Sequence, residues 1–165
     1  MFARATAIGL MLVPLMAGAA QEESTLDLTP KSFQAGMGKH LKEIPQCAAA
    51  KLSKGDPIKD GRVVYHTLTM NGASVEVLLD LGKAGKIAKA KFTGAAGANN
   101  DAQLRAMMCS TYAVMRTLQP DYETPDQAQS NMSHLWKSAA SKPFTKAFYF
   151  NTIKAQYVPF EMNVY

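Results

Sequence analysis

Asn71-Gly72 is the most constraining feature of the chain, because it stands between two runs of alternating apolar residues. Asn and Gly both tolerate positive φ, which a tight two-residue hairpin turn demands, and strands joined this way must run antiparallel. Before the turn, Arg62 to Met70 is rich in β-branched and aromatic residues, with Val64, His66, Leu68 and Met70 on one side. After it, Val75, Val77, Leu79 and Leu81 alternate with Ser74, Glu76 and Asp80, the pattern of a half-buried strand. Leu78 breaks the alternation on the outer side. "GKAGK" turns the chain again, and Ile87 to Thr93 reads as a third strand. In that strand Ala88, Ala90 and Phe92 are predicted inward, and Lys89 and Lys91 outward. Three such strands form an antiparallel meander.

Helical spacing appears on both sides of the meander. Thr29 and Pro30 read as an N-cap and first helical residue, and Phe33, Met37, Leu41 and Ile44 recur on one face before Pro45. "CAAAKLSK" from Cys47 reads as a further helical turn or two, and "KGDPIKDG" as turns. "GAAGANND" is a loop ending in a helix cap at Asn100 or Asp101. The helix that follows carries Leu104, Met108, Thr111, Met115 and Leu118 as its large stripe, and Ala102, Ala106, Cys109 and Ala113 as a thin one. Pro120 stops it. "TPDQ" from Thr124 is a capping box for a further helix with Ala128, Met132, Leu135 and Ala139 on one face and Trp136 beside them. "KAFYFNTIKAQYV" then suggests a hairpin about Asn151-Thr152, and alternation resumes after Pro159 with Phe160, Met162 and Val164. Proline lacks a ladder donor, so Pro159 predicts a bulge or a sheet edge. The expected class is α+β: an antiparallel sheet, built of the three-stranded meander plus a C-terminal hairpin, packed on one face by about three helices.

The first residues point to export. "MFARATAIGLMLVPLMAGAAQEES" has Arg4 as its only early charge, an apolar run from Ala5 to Met16, and small residues before Gln21. This is the layout of a signal peptide over residues 1–20, cut after Ala20, leaving 21–165 as one α+β domain. The run falls short of the roughly 20 apolar residues that span a bilayer, and no later stretch reaches that length. A periplasmic or secreted location follows as the expectation.

Export decides the reading of the two cysteines, Cys47 and Cys109. An oxidising compartment preserves paired thiols, and only one pairing exists. Ala48 to Ala50 beside Cys47, and the alanines beside Cys109, allow the close backbone approach that a disulfide needs. A nucleophilic thiol with His40 or His134 as its base is the competing arrangement, and the compartment argues against it.

No other chemistry has a motif. His40, His66 and His134 are scattered, and no HExxH, GxSxG, phosphate loop or dinucleotide fingerprint occurs, so no metal, cofactor or catalytic residue is assigned. His66 alternates with core positions and is expected to be a hydrogen-bonded, half-buried side chain. Asn131 to Ser133 matches a glycosylation acceptor but falls within a predicted helix. The net charge is +5, and removing Arg4 leaves about +4, which suits an acidic partner. Lys83, Lys86, Lys89 and Lys91 form a local cluster, whose simplest role is to keep a strand edge soluble. Tyr149, Tyr157, Phe160 and Tyr165 crowd the last strands. Lys89, Lys91, Tyr149 and Tyr157 are the predicted binding residues, with the lysines steering and the tyrosines anchoring a partner. The expected function is an exported, non-catalytic binding protein of the bacterial cell envelope, such as an inhibitor or immunity-type partner. A small envelope-polymer hydrolase and a structural accessory of an envelope complex are the alternatives. The partner expected is a protein or an anionic envelope component, with nucleic acid disfavoured by export.

Overall fold

The computed structural model describes residues 25–94, 101–121, 124–148, 151–157 and 160–165. The signal-peptide reading, residues 95–100 of the "GAAGANND" loop, Tyr149 and Pro159 therefore lie outside the described residues.

The elements, in order, are α1 (Pro30–His40), a short 3-10 helix (Pro45–Cys47), β1 (Lys51–Leu52), β2 (Asp56–Ile58), β3 (Val63–Met70), β4 (Ala73–Leu81) and β5 (Ile87–Gly94). Then come α2 (Asp101–Leu118), α3 (Pro125–Ala139), β6 (Phe144–Phe148), β7 (Asn151–Gln156) and β8 (Glu161–Val164). The eight strands form one sheet in the order β1-β3-β4-β5-β8-β7-β6, with β2 also paired to β3, and every pairing is antiparallel. This is an α+β fold.

The β3–β4 hairpin forms as its turn demands: Met70 pairs with Ala73, and Asn71 and Gly72 have φ of 50° and 82°. Alternate residues Val64, His66, Leu68 and Met70 of β3, and Val75, Val77 and Leu79 of β4, are buried. The next pairing carries an irregularity between Asp80 and Leu81, where Asp80 pairs with Lys89 but Leu81 with Ile87. Ala88 is the unmatched residue, so Ile87 takes the buried place predicted for it.

Two helices start at the predicted threonine caps, and both caps form capping boxes although only Thr124 carries the sequence motif of one. Thr29 accepts from the Ser32 N–H, and Thr124 from the Gln127 N–H, with Pro at the start of each helix. Between them α2 is the central column. Nearly every residue from Ala106 to Thr117 is buried, Met108 excepted, and both the small and the large stripe are used. Cys109 of the small one is bonded to Cys47 in the 3-10 turn after α1, with Cα atoms 5.5 Å apart. Leu104, Met108 and Leu118 of the large one are only half-buried.

Three local expectations are corrected. Cys47 ends a single 3-10 turn, and the chain then enters β1 at Lys51 rather than continuing as helix. The stretch read as turns contains β2, paired with β3 through Asp56–Tyr65, Pro57–Val64 and Ile58–Val63. The last hairpin pairs Phe148 with Asn151, so Asn151 and Thr152 are strand residues and not its tip. β8 is interior, between β5 and β7.

One hydrophobic cluster runs from Leu26 to Val164 between the sheet and the helices, including Phe33, Met37, Phe92, Met107, Trp136 and Phe160. Burial on this scale is the main stabilising contribution.

Candidate functional site

The richest polar grouping centres on Glu43, just past the end of α1. His40 Nδ1 lies 2.7 Å from Glu43 Oε1, the Tyr112 hydroxyl donates to Oε2 at 2.7 Å, and Arg116 Nε donates to Oε2 at 3.0 Å. Arg116 also donates to the Pro120 carbonyl. Sequence reasoning missed this group, although His40 and Glu43 stand three apart and Tyr112 and Arg116 four apart on their helix. Burial opposes ionisation of Glu43, but hydrogen bonds from Arg116, Tyr112 and His40 together outweigh it and bring the carboxyl to about 2. Burial, then the Glu43 carboxylate, pushes the Tyr112 phenol up out of its ordinary range. Burial also lowers His40, against the pull of Glu43, so the neutral ring donates its Nδ1–H. A carboxylate held ionised and a phenol held protonated do not exchange protons near neutrality. The cluster ties α1 to α2.

The other histidines are similarly engaged. His66 is 1% exposed, deeper than predicted; its Nδ1 donates to the Ser53 carbonyl at 3.0 Å and its Nε2 is buried without a partner. Gly55 is needed there, since a Cβ would meet His66 Cε1 at 2.8 Å. His134 is exposed and meets the Phe144 ring edge-on. Among the described residues no group of three or more metal-ligating side chains occurs.

The predicted binding residues are divided between two surfaces. Lys89 and Lys91 project from β5 on the sheet face away from the helices. There Lys91 pairs with Glu161 at 2.9 Å and Lys89 lies 4.9 Å from the Tyr165 ring centre. Hydrogen bonding to Lys91 holds the Glu161 carboxyl below its usual range, against burial. Asp80 pairs in register with Lys89, so this face carries mixed charge. Lys86 in the preceding turn is paired with Asp27. Tyr157 is on the helix side instead, 4.7 Å from the Phe160 ring, where it borders an apolar cleft of about 290 Å³ with Leu104, Met108 and Trp136. Tyr149 lies outside the described residues.

A lysine-lined groove, which sequence reasoning did not find, runs between α1 and β1. It has a volume of about 650 Å³, and the charged side chains lining it are Lys31, Lys42 and Lys51. All three lysines are exposed, Ala35, Gly38 and Leu52 supply surface between them, and Leu41 and Ala50 lie buried beneath. The α1 contribution comes from Lys31, Gln34, Ala35 and Gly38, spaced as one helical face opposite Phe33 and Met37, and Lys42 follows in the turn after the helix. That periodicity is present in the sequence, but alternating small, polar and basic residues on an exposed helix face carry no signal that separates a groove from ordinary solvated surface. Gly38 has nothing within 4 Å of where a Cβ would stand, so bare helix backbone opens onto the groove. No helix among the described residues is long and apolar enough to cross a membrane. No family model, no curated protein and no solved structure matches this chain.

Proposed function

We propose that the chain is an exported, non-catalytic binding protein of the bacterial cell envelope that takes an acidic partner. The observation that carries this reading is the α1/β1 groove, an open concave surface whose charged lining is entirely lysine. Unopposed lysines around aliphatic surface attract and orient an anionic ligand but offer no acid–base pair for turnover. The described acid, phenol and imidazole groups that stand together are bonded to one another around Glu43. The disulfide supports an oxidising location, periplasmic or secreted. The sheet-face residues Lys89 and Lys91 belong to a secondary surface in this reading, since each already has an intramolecular contact.

The test is affinity capture from the envelope fraction of the source organism with residues 21–165 as bait. A stoichiometric partner, with saturable binding when purified, supports the reading. Turnover of envelope polymer by the purified protein, with no saturable partner, defeats it in favour of the hydrolase alternative.

A further inference from the structure

We infer that the α1/β1 groove receives an extended acidic peptide segment of a protein partner, which adds to the sheet at Leu52. The inference rests on the binding reading above and specifies its ligand.

The first argument is the direction of the backbone groups of Leu52. In an antiparallel pair, residues alternate between those that exchange hydrogen bonds with the partner strand and those whose N–H and C=O point away. The Ser53 N–H donates to the Thr67 carbonyl, so Ser53 belongs to the bonded set and Leu52, opposite Leu68, to the other. The N–H and C=O of Leu52 therefore face away from β3, along the free edge of β1, neither has a partner among the described residues, and Leu52 also lines the groove. A donor and an acceptor side by side on a sheet edge are what an added strand uses.

The second argument is charge and spacing. An α-helix rises about 1.5 Å per residue, so the span of α1 from Lys31 to His40, with Lys42 in the turn just beyond, separates the two lysines by roughly 15 Å along the groove. An extended chain covers that distance in about five residues. The surface between them is Ala35 and Gly38 on one wall and half-buried Leu52 on the other, with Leu41 and Ala50 buried beneath. The groove thus fits a short strand with acidic residues toward its ends and aliphatic residues between. A polysaccharide or phosphate would satisfy the lysines, but it has no use for the backbone pair of Leu52 or for the aliphatic floor. A second copy of this chain is disfavoured, because edge pairing would set Lys51 near another lysine edge.

The experiment is an amide NMR titration of the protein, residues 21–165, with a capped hexapeptide bearing glutamate at each end and valine or alanine between. The expected result is shifts confined to groove residues and slowed hydrogen exchange at the Leu52 amide. The same peptide methylated on every backbone nitrogen is expected to bind about tenfold more weakly, the effect of losing one or two hydrogen bonds. Lys31→Glu with Lys42→Glu, both at exposed positions, is expected to abolish the shifts while leaving the thermal melt unchanged. Equal binding of the methylated peptide, or identical shifts from dextran sulfate, would show a groove that takes anions without strand addition; the peptide inference then falls and the binding reading stands. Shifts on the Lys89 and Lys91 face instead, or no shifts at all, overturn the inference, whereas the binding reading is decided separately by the capture experiment. Protection of Leu52 without peptide, together with a dimer in sedimentation, would make a second copy the occupant and also overturn it.

Discussion

The Tyr112 hydroxyl stands 2.7 Å from Glu43 Oε2, joining the middle of α2 to the chain just beyond α1 across 69 positions of sequence. Tyr112 is fully buried, and Arg116 reaches the same carboxylate one helical turn later. The carboxylate is thus a shared acceptor between two helices, and removing one donor leaves the others in place. Tyr112→Phe retains the ring and loses a hydrogen bond to a charged group, a change worth about 1.5–3 kcal/mol. Urea unfolding is expected to show a lower midpoint with an unchanged slope. An unaltered midpoint would mean that the bond adds nothing net to stability.

The same cluster sets a pH dependence. The Glu43 carboxyl is brought from 4.5 to about 2 in the folded protein, so the folded state binds its proton less readily than the unfolded chain. Its stabilisation is fully present above about pH 5 and is lost as pH falls toward about 2. His40 acts in the same direction, because burial lowers it below 6.5 and acidification must charge a buried ring. Stability is therefore expected to decline from about pH 6.5 downward, steepening below about pH 5. Urea midpoints measured across that range check this, and Glu43→Gln is expected to flatten the steeper limb.

Much of the fold was legible because its local patterns and its tertiary contacts agree. Asn71-Gly72, the two threonine caps and the alternation of β4 each specify one conformation, and each is found. What escaped depends on partners remote in sequence. β1 and β2 are only two and three residues long, and they are strands because the edge of β3 is there to pair with. No periodicity can appear in so short a segment. The irregularity at Asp80/Leu81, which exchanges Ile87 for Ala88, likewise belongs to the pairing of two strands and not to either one. The Glu43 cluster and the lysine groove combine α1 with α2 and with β1, so only docking brings their members together.

The two glycines of α1 are expected to respond oppositely to alanine. A Cβ at Gly36 would stand 2.5 Å from Thr117 Cγ2, and Thr117 is fixed by its own bond to the Ala113 carbonyl at 2.7 Å. Gly36→Ala must push α1 away from α2, an overpacking that typically costs about 1–3 kcal/mol. Gly38 meets nothing, so Gly38→Ala gains the helical preference of alanine, about 1 kcal/mol. Thermal melts of the two variants should move to either side of the parent. A loss of stability from Gly38→Ala would show that the groove floor is packed and not open.

The disulfide closes a loop between residues 62 positions apart. On the chain-entropy estimate this contributes about 4 kcal/mol by restricting the unfolded chain. The oxidised protein is expected to show no reactive thiol after denaturation, and Cys47→Ala with Cys109→Ala is expected to lower the urea midpoint strongly. Two titratable thiols in material isolated from an oxidising compartment would contradict both the pairing and the location inferred from it.

The strand register can be tested at two positions three residues apart. Leu79 has no exposure and pairs with Val64 on one side and Ala90 on the other, all three directed into the core. Glu76 is exposed on the opposite face, between Thr67 and Thr93. Leu79→Asp places a carboxylate where no cation or donor replaces water, and the penalty of several kcal/mol is a large part of the stability of a chain this size. Glu76→Lys exchanges one hydrated charge for another, with an expected effect within about 0.5 kcal/mol. Circular dichroism should therefore show Leu79→Asp without a cooperative thermal transition, while Glu76→Lys melts like the parent. Because a one-residue slip would send every side chain of β4 to the other face, equal effects at the two positions would contradict the register of the whole meander.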